Sequence, residues 1–261
     1  MPRDPSYQFT RAITRRPGAQ AVDGLRAVDA GPPDLALMRR QHADYVAALR
    51  DAGMTVTELP PLPGQPDAQF VEDTALCLPQ GAVLMRPGAP SRLGEVAPMA
   101  RALASHYDDP RPITGPGSIE GGDILYIGTE ILVGRSARTD AAGIAELTEI
   151  AADWGHTLRE VATPPGVLHF KTDCALIGPG LILATARLAA TGCFADYDLL
   201  HVPEGEEPAA NCIRVNDLVL MPAGFPRTRA VLERAGLTVR EIGNSEAARL
   251  DGGMSCLSLR F

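Results

Sequence analysis

Ile119-Glu120-Gly121-Gly122-Asp123-Ile124-Leu125-Tyr126-Ile127, followed by Gly128-Thr129-Glu130 and Ile131-Leu132-Val133, decides the fold, because the chain repeats it. Two apolar runs joined by about three turn residues read as a hairpin. Upstream, Phe70-Val71-Glu72-Asp73-Thr74-Ala75-Leu76-Cys77-Leu78 turns at Pro79-Gln80-Gly81 into Ala82-Val83-Leu84-Met85. Downstream, His169-Phe170-Lys171-Thr172-Asp173-Cys174-Ala175-Leu176-Ile177 turns at Gly178-Pro179-Gly180 into Leu181-Ile182-Leu183-Ala184. Asp73, Asp123 and Asp173 hold the same place in each copy, 50 residues apart. A fourth hairpin, Cys212-Ile213-Arg214-Val215, turns at Asn216-Asp217 into Leu218-Val219-Leu220-Met221. A fifth unit begins at Gly252 and has room only for its first strand.

Between hairpins, a helix runs into a strand. Pro32-Pro33-Asp34 opens a helix from Leu35 to Ala52, Gly53 ends it, and Met54 to Leu59 is a strand. Thr139 to Trp154 repeats the pattern, then Gly155 and the strand His156 to Val161. Arg227 to Ala235 repeats it again, then Gly236 and the strand Leu237 to Ile242. A helix is also predicted between Ser91 and His106, and Ala189 to Leu200 is the least regular equivalent. The unit is therefore ββαβ, about 50 residues long. A lone unit cannot cover its apolar face, so the copies must close around a common centre. The N-terminal stretch Gln8 to Thr14 supplies the strand that the fifth unit lacks, so both chain ends are expected in one sheet. With no composition break, residues 1–261 read as one domain.

The 261 residues are 45% apolar and 21% charged, the balance of a folded globular chain. A net charge of −8 gives no electrostatic reason to expect nucleic acid or an anionic membrane as partner. The five cysteines form no C-x-x-C pair, which argues against a disulfide framework or a cysteine-rich zinc site. With no signal-like leader and no apolar run near the roughly 20 residues of a membrane span, a cytoplasmic protein is expected.

In a closed ring, residues at equivalent strand starts converge at one end of the axis. That gathers Glu72, Asp73, Glu120, Asp123, His169, Asp173 and Cys256: one thiol, one imidazole and several carboxylates. Taken alone, Cys256 reads as a buried core thiol and His169 as a structural histidine. Their matching places at the heads of two repeats favour a nucleophile with an acid/base partner. So many acids imply a cationic ligand. They also imply a Cys256 thiol that stays protonated until that cation arrives. No third or fourth soft ligand has zinc-site spacing around His169 and Cys256.

Phe70-Val71-Glu72-Asp73, Glu120-Gly121-Gly122-Asp123, Leu168-His169-Phe170-Lys171, Asn211-Cys212-Ile213 and Gly252-Gly253-Met254-Ser255-Cys256 resemble the pentein, or guanidine-modifying, superfamily. Within it the chain resembles the bacterial dimethylarginine dimethylaminohydrolases, through Val22-Asp23-Gly24-Leu25, Pro66-Asp67, Arg86 to Arg92, Ser136-Ala137-Arg138-Thr139 and Met221-Pro222-Ala223-Gly224. The resemblance implies an α/β pentein fold, a five-fold pseudosymmetric propeller of ββαβ units. It implies that Cys256 attacks a guanidinium carbon, that His169 protonates the departing amine and then activates water, and that Glu120 supports both. It maps Asp67, Glu72 and Asp73 onto substrate-binding acids and Arg92 and Arg138 onto the grip on the amino acid's carboxylate. Leu25 maps to a lid, and Leu250 to a backbone contact. The implied partner is a small cationic substrate, a methylated arginine, with no metal or cofactor, and a homodimer is admitted. Arginine deiminase and agmatine-type activities are the near alternatives. The uniform repeat spacing leaves no room for the deiminases' extra helical insertion, and an agmatine enzyme has no use for a carboxylate grip. A non-enzymatic ribosome-binding pentein is the remote alternative.

Overall fold

A computed structural model of the chain describes residues 3–128 and 130–261; Met1, Pro2 and the turn residue Thr129 lie outside the described residues. Strand β1 (Arg11–Arg15) runs parallel to β2 (Thr55–Leu59), with Arg11 opposite Thr55. The hairpin of β3 (Ala75–Leu78) and β4 (Gly81–Leu84) takes β5 (Arg111–Pro112) as a parallel third strand. The same design recurs in β6 (Ile124–Ile127), β7 (Glu130–Arg135) and β8 (Thr157–Ala162). It recurs in β9 (Cys174–Gly178), β10 (Leu181–Ala184) and β11 (Asp198–His201), then in β12 (Ile213–Val215), β13 (Leu218–Pro222) and β14 (Thr238–Ile242). Finally β15 (Leu259–Arg260) pairs antiparallel with β1, Ala12 opposite Arg260. Among the described residues the strands thus form five three-stranded sheets, one of them closed by the two chain ends.

Helices return the chain from each hairpin to its third strand. α1 (Leu35–Asp51) is capped by Asp34, whose side chain accepts from the Leu37 amide, and it buries Met38, Tyr45 and Leu49. α2 (Val96–Leu103) is preceded by a 3-10 turn, Pro90–Glu95, that places Arg92 in the interior. α3 (Ala141–Asp153) is capped by Asp140, α4 (Ala186–Ala189) is a single turn, and α5 (Pro226–Arg234) has proline in its first turn. The expected stops after α1, α3 and α5 are Gly53, Gly155 and Gly236. All three have φ between 81° and 89°, where any side chain is strained. α6 (Ser245–Ala248) is a short extra turn before the last sheet.

The repeat heads differ from expectation in one respect. They read as strand starts, but each is a 3-10 turn: Val71–Thr74, Gly121–Asp123, Phe170–Thr172, Glu207–Ala210 and Ser255–Leu257. The cause is visible in Asp73 and Asp123. Asp73 Oδ1 accepts the Gly122 amide at 2.9 Å, and Asp123 Oδ1 accepts the Phe170 amide at 2.8 Å. Each aspartate thereby holds the turn of the next repeat. Asp173 breaks the series and binds the Arg187 guanidinium through Nε and Nη2 instead. The core is built between repeats as well. Val83 and Met85 of one unit cluster with Ile124, Ile131 and Leu147 of the next.

Candidate active site

The 3-10 turns bring Asp73, His169 and Cys256 to one cavity of about 170 Å³, with Asp67, Arg92 and Arg138 on its walls. Leu25, Arg26 and Ala27 border it from the loop before α1, and Phe70, Leu168 and Leu250 add apolar surface. Cys256 is 8% exposed. Its Sγ receives the Gly253 amide at 3.4 Å, and the Asn211 side-chain amide lies 4.0 Å away. Burial first, and then the charges of Glu72 and Asp73, push the thiol up to about 12. At neutral pH it is a thiol.

His169 is the opposite case. Its Nε2 lies 2.6 Å from Glu120 Oε2, and Glu120 is fully enclosed. Burial alone would lower its pKa, but Asp73, Glu120 and Asp123 together outweigh it and raise the imidazole to about 9. It is therefore an imidazolium at neutral pH, a proton donor in a dry site. The other oxygen of Glu120 accepts from the Gly88 amide at 3.0 Å and from Arg138 Nη1 at 3.3 Å. Gly122 makes this approach feasible, since a methyl group there would sit 2.6 Å from His169 Nδ1 and 2.8 Å from Asp73 Oδ1.

Arg92 organises the acids. It donates Nε and Nη2 to Glu95 at 3.0 and 2.8 Å, Nη1 to Asp73 at 2.5 Å, and Nη2 to the Phe70 carbonyl at 2.8 Å. Burial raises the Asp73 carboxyl, but His169 and Arg92 outweigh it and hold it at about 2. Of the five N–H groups of Arg92, these bonds leave one, on Nη1, for a ligand. Arg138, bound once to Glu120 and 20% exposed, is the freer of the two. Asp67 accepts the Leu25 amide at 2.9 Å, so it ties down the expected lid; burial raises its carboxyl against the pull of Arg92.

Glu72 is the residue whose place differs most from expectation. It lies beneath the cavity, with Oε1 on Lys171 Nζ at 2.5 Å and Arg260 Nη2 at 3.1 Å, and Oε2 on Ser255 Oγ at 2.7 Å. It lines a different cavity of about 110 Å³, together with Lys171 and Arg260. Both its oxygens are occupied, so it acts on the site as a charge near Cys256 and as an anchor for Ser255. Asp123 and Asp173 also stay outside, held by the bonds described above. Asn211, a motif residue with no role implied by the sequence, braces the turn of the thiol. Its Oδ1 receives the Ser255 amide at 2.9 Å, and a side chain on Gly253 would come within 2.1 Å of it. Leu168 and Phe70, which stand in the motif blocks of His169 and Asp73, add apolar wall to the cavity. Asp73, Glu120 and His169 also lie close enough to share an ion. Arg92 and Arg138 already neutralise that cluster, and an imidazolium repels a cation.

A fold of five such sheets with a buried thiol, imidazolium and carboxylate at one end of the axis defines a pentein hydrolase-type site. A family model described as arginine deiminase matches residues 61–164. The chain is 40% identical over 254 residues to an N(G),N(G)-dimethylarginine dimethylaminohydrolase of Pseudomonas aeruginosa, covering 97% of this chain and all of that one. It is 32% identical to one from Streptomyces coelicolor, with 96% of each covered. Among solved structures, a mutant of the Pseudomonas aeruginosa enzyme complexed with citrulline superposes with a TM-score of 0.95 at 39% identity, covering 98% of this chain and all of that one. The N-terminal domain of a cyanobacterial arginine dihydrolase shares the fold, with a TM-score of 0.85 at 19% identity and 97% of each chain covered. The chain belongs to the dimethylarginine dimethylaminohydrolase family.

Proposed function

We propose that the chain, acting as one catalytic domain, hydrolyses Nω-methylated arginine to citrulline and a methylamine, a hydrolase reaction at the C–N bond of a linear amidine. The observation that carries this reading is the shared cavity: a neutral thiol and an imidazolium, walled by Asp67 and Asp73 for a cation and by Arg92 and Arg138 for a carboxylate. A methylarginine presents those two charges at its two ends. The similarity to enzymes of that name, and to a structure holding citrulline, supports it.

In this mechanism the guanidinium enters beside Asp73, and its positive charge lowers the pKa of Cys256, whose proton passes to water because His169 already carries one. The thiolate sulfur bonds to the guanidinium carbon. The His169 imidazolium gives its proton to the methylated nitrogen, the C–N bond breaks, and the amine departs. The remaining S-alkyl thiouronium is attacked by water, from which the now neutral His169 takes a proton. The C–S bond then breaks, the adduct's hydroxyl gives its proton up to water, citrulline forms, and the released thiolate regains a proton from water to restore Cys256. Glu120 keeps His169 oriented and favours its charged form throughout. Asp67 receives the substrate's amino group, the Leu250 backbone makes a contact beside Cys256, and Leu25 covers the site against water. Every proton in the cycle is carried by the protein or by water, so the proposal needs no cofactor. Five free cysteines, and no helix among the described residues long and apolar enough to cross a membrane, fit the reducing cytoplasm.

The arginine deiminase reading has one observation in its favour, the family model over residues 61–164. Parallel assays of citrulline formation from dimethylarginine, arginine and agmatine decide between them, with Cys256→Ser as the inactive control. Turnover of plain arginine equal to or above that of the methylated substrates would overturn the proposal.

A further inference from the structure

We infer that Asp251 is a positioning residue for this reaction: its carboxylate latches the loop of residues 24–31 closed over the substrate cavity. The inference rests on the reading of Leu25 and its neighbours as the lid.

Two non-glycine residues among those described have a positive φ, both 57°. Asn216 has a local reason, since it lies in the turn between β12 and β13. Asp251 ends α6: its amide donates to the Ala248 carbonyl at 3.2 Å and the Gly252 amide to the Ala247 carbonyl at 2.9 Å, the left-handed helix end that glycine ordinarily fills. The left-handed region costs a side chain free energy that glycine would not incur, and glycines occupy the next two positions, 252 and 253. An aspartate is held where a glycine would be relaxed. What the carboxylate does there is specific: Oδ2 accepts the Ala27 amide at 2.6 Å.

The bond is one of a set. From the same short segment, Glu246 Oε2 accepts the Asp34 amide at 2.8 Å, and Arg249 Nη1 donates to the Ala30 carbonyl. Between Arg249 and Asp251, Leu250 faces the lid at Gly24, where an added methyl would meet its Cδ1 at 3.1 Å. The six residues from Glu246 thus clasp the loop at positions 24, 27, 30 and 34. On the substrate side, Asp67 binds the Leu25 amide. Arg26 stiffens the loop itself by donating to the carbonyls of Val22, Gly24 and Gly31. Asp251 is the catch of this clasp because it alone grips the tip.

The contact is also a partition. Ala27 and Asp251, with Leu168 and Gly252, border the substrate cavity on one side and a second cavity of about 590 Å³ on the other. Releasing the Ala27 amide opens the wall between them. The clasp also runs directly into Gly252-Gly253 and the turn of Cys256, so lid closure and nucleophile placement share one segment of backbone.

The test uses Asp251→Gly, which relaxes the backbone but deletes the carboxylate, and Asp251→Asn, which keeps an acceptor and tolerates the same φ. Hydrogen exchange at the Ala27 amide is read in the ligand-free full-length protein, so it reports on the latch whatever the substrate proves to be. The glycine variant should exchange about tenfold faster at Ala27 and lose about tenfold in kcat/KM for dimethylarginine, mainly through KM. Amides of β13 should keep their wild-type protection, showing that the fold is intact. The asparagine variant should recover exchange and kcat/KM to within about threefold. Wild-type exchange at Ala27 in the glycine variant, or no recovery with asparagine, overturns the latch. An enzyme that ignores methylated arginine while Ala27 still deprotects in the glycine variant overturns the substrate reading and leaves the latch standing.

Discussion

His169 Nε2 and Glu120 Oε2 lie 2.6 Å apart in a site from which Glu120 sees no solvent. With Asp73 and Asp123, Glu120 keeps the imidazole charged in a place where burial alone would strip its proton. Glu120→Gln keeps the shape and removes the charge, so His169 should titrate well below about 9. We expect kcat/KM to fall roughly 10²-fold, the size of a lost acid/base contribution, with the alkaline limb of the pH profile moved toward neutrality. An unmoved limb would detach Glu120 from the proton transfer.

In the wild type, the same elevated pKa sets the sign of the pH dependence. A group whose folded pKa lies above its unfolded value stabilises the fold below the unfolded pKa and loses that contribution as pH rises through the folded one. For His169 the window runs from about 6.5 to about 9. Stability should therefore fall between about pH 6.5 and about 9 and level off above it, whereas activity should decline as pH passes 9, together with the NMR titration of the imidazole.

Cys256 should show no thiolate absorbance at pH 7 in the free protein, because burial, Glu72 and Asp73 hold its pKa near 12. Binding a guanidinium ligand should move the titration to lower pH. A free enzyme already ionised at neutrality would contradict activation by the substrate.

The two arginines should separate cleanly. Arg92→Ala leaves Asp73 and Glu95 buried without their partner, and by the usual cost of orphaning a buried charge should destabilise the protein by about 3–5 kcal/mol in urea unfolding. Arg138→Ala, on a partly exposed side chain, should cost less than about 1 kcal/mol and act instead on KM.

Tyr45 offers a test far from the substrate. From α1 its buried hydroxyl donates to the Met254 carbonyl at 2.9 Å and lies 2.7 Å from Ser258 Oγ, one on each side of Cys256. Tyr45→Phe strands the Met254 carbonyl, while Ser258 Oγ keeps its bond from Arg260 Nη1 at 2.8 Å, so a loss of about 1–3 kcal/mol is expected, with a fall in kcat as the turn of Cys256 loosens. Unchanged stability would show that water replaces the hydroxyl.

The repeat was legible because it is written in local patterns. Hairpin runs, turn residues and the glycine stops at Gly53, Gly155 and Gly236 each follow from the preferences of neighbouring residues. The 3-10 turns at the repeat heads were not legible in this way. In two of them the cause is a carboxylate 47–49 residues away, Asp73 on Gly122 and Asp123 on Phe170, and in the last it is Asn211 on the Ser255 amide. The same holds for Glu72, which looks like any of the other acids until Lys171, Arg260 and Ser255 are seen to occupy it.

The sequence by itself therefore determined the architecture, the closure of the ring by both chain ends, and the gathering of Cys256, His169 and Glu120, because a period repeated along the chain implies equivalent places in space. Tertiary structure alone decided the charge states of Cys256, His169 and Asp73, which acids face the cavity, how many donors Arg92 has left, and that Asp251 reaches the Ala27 amide. Those properties depend on burial and on partners distant along the chain. They come into being only when the units close on one another.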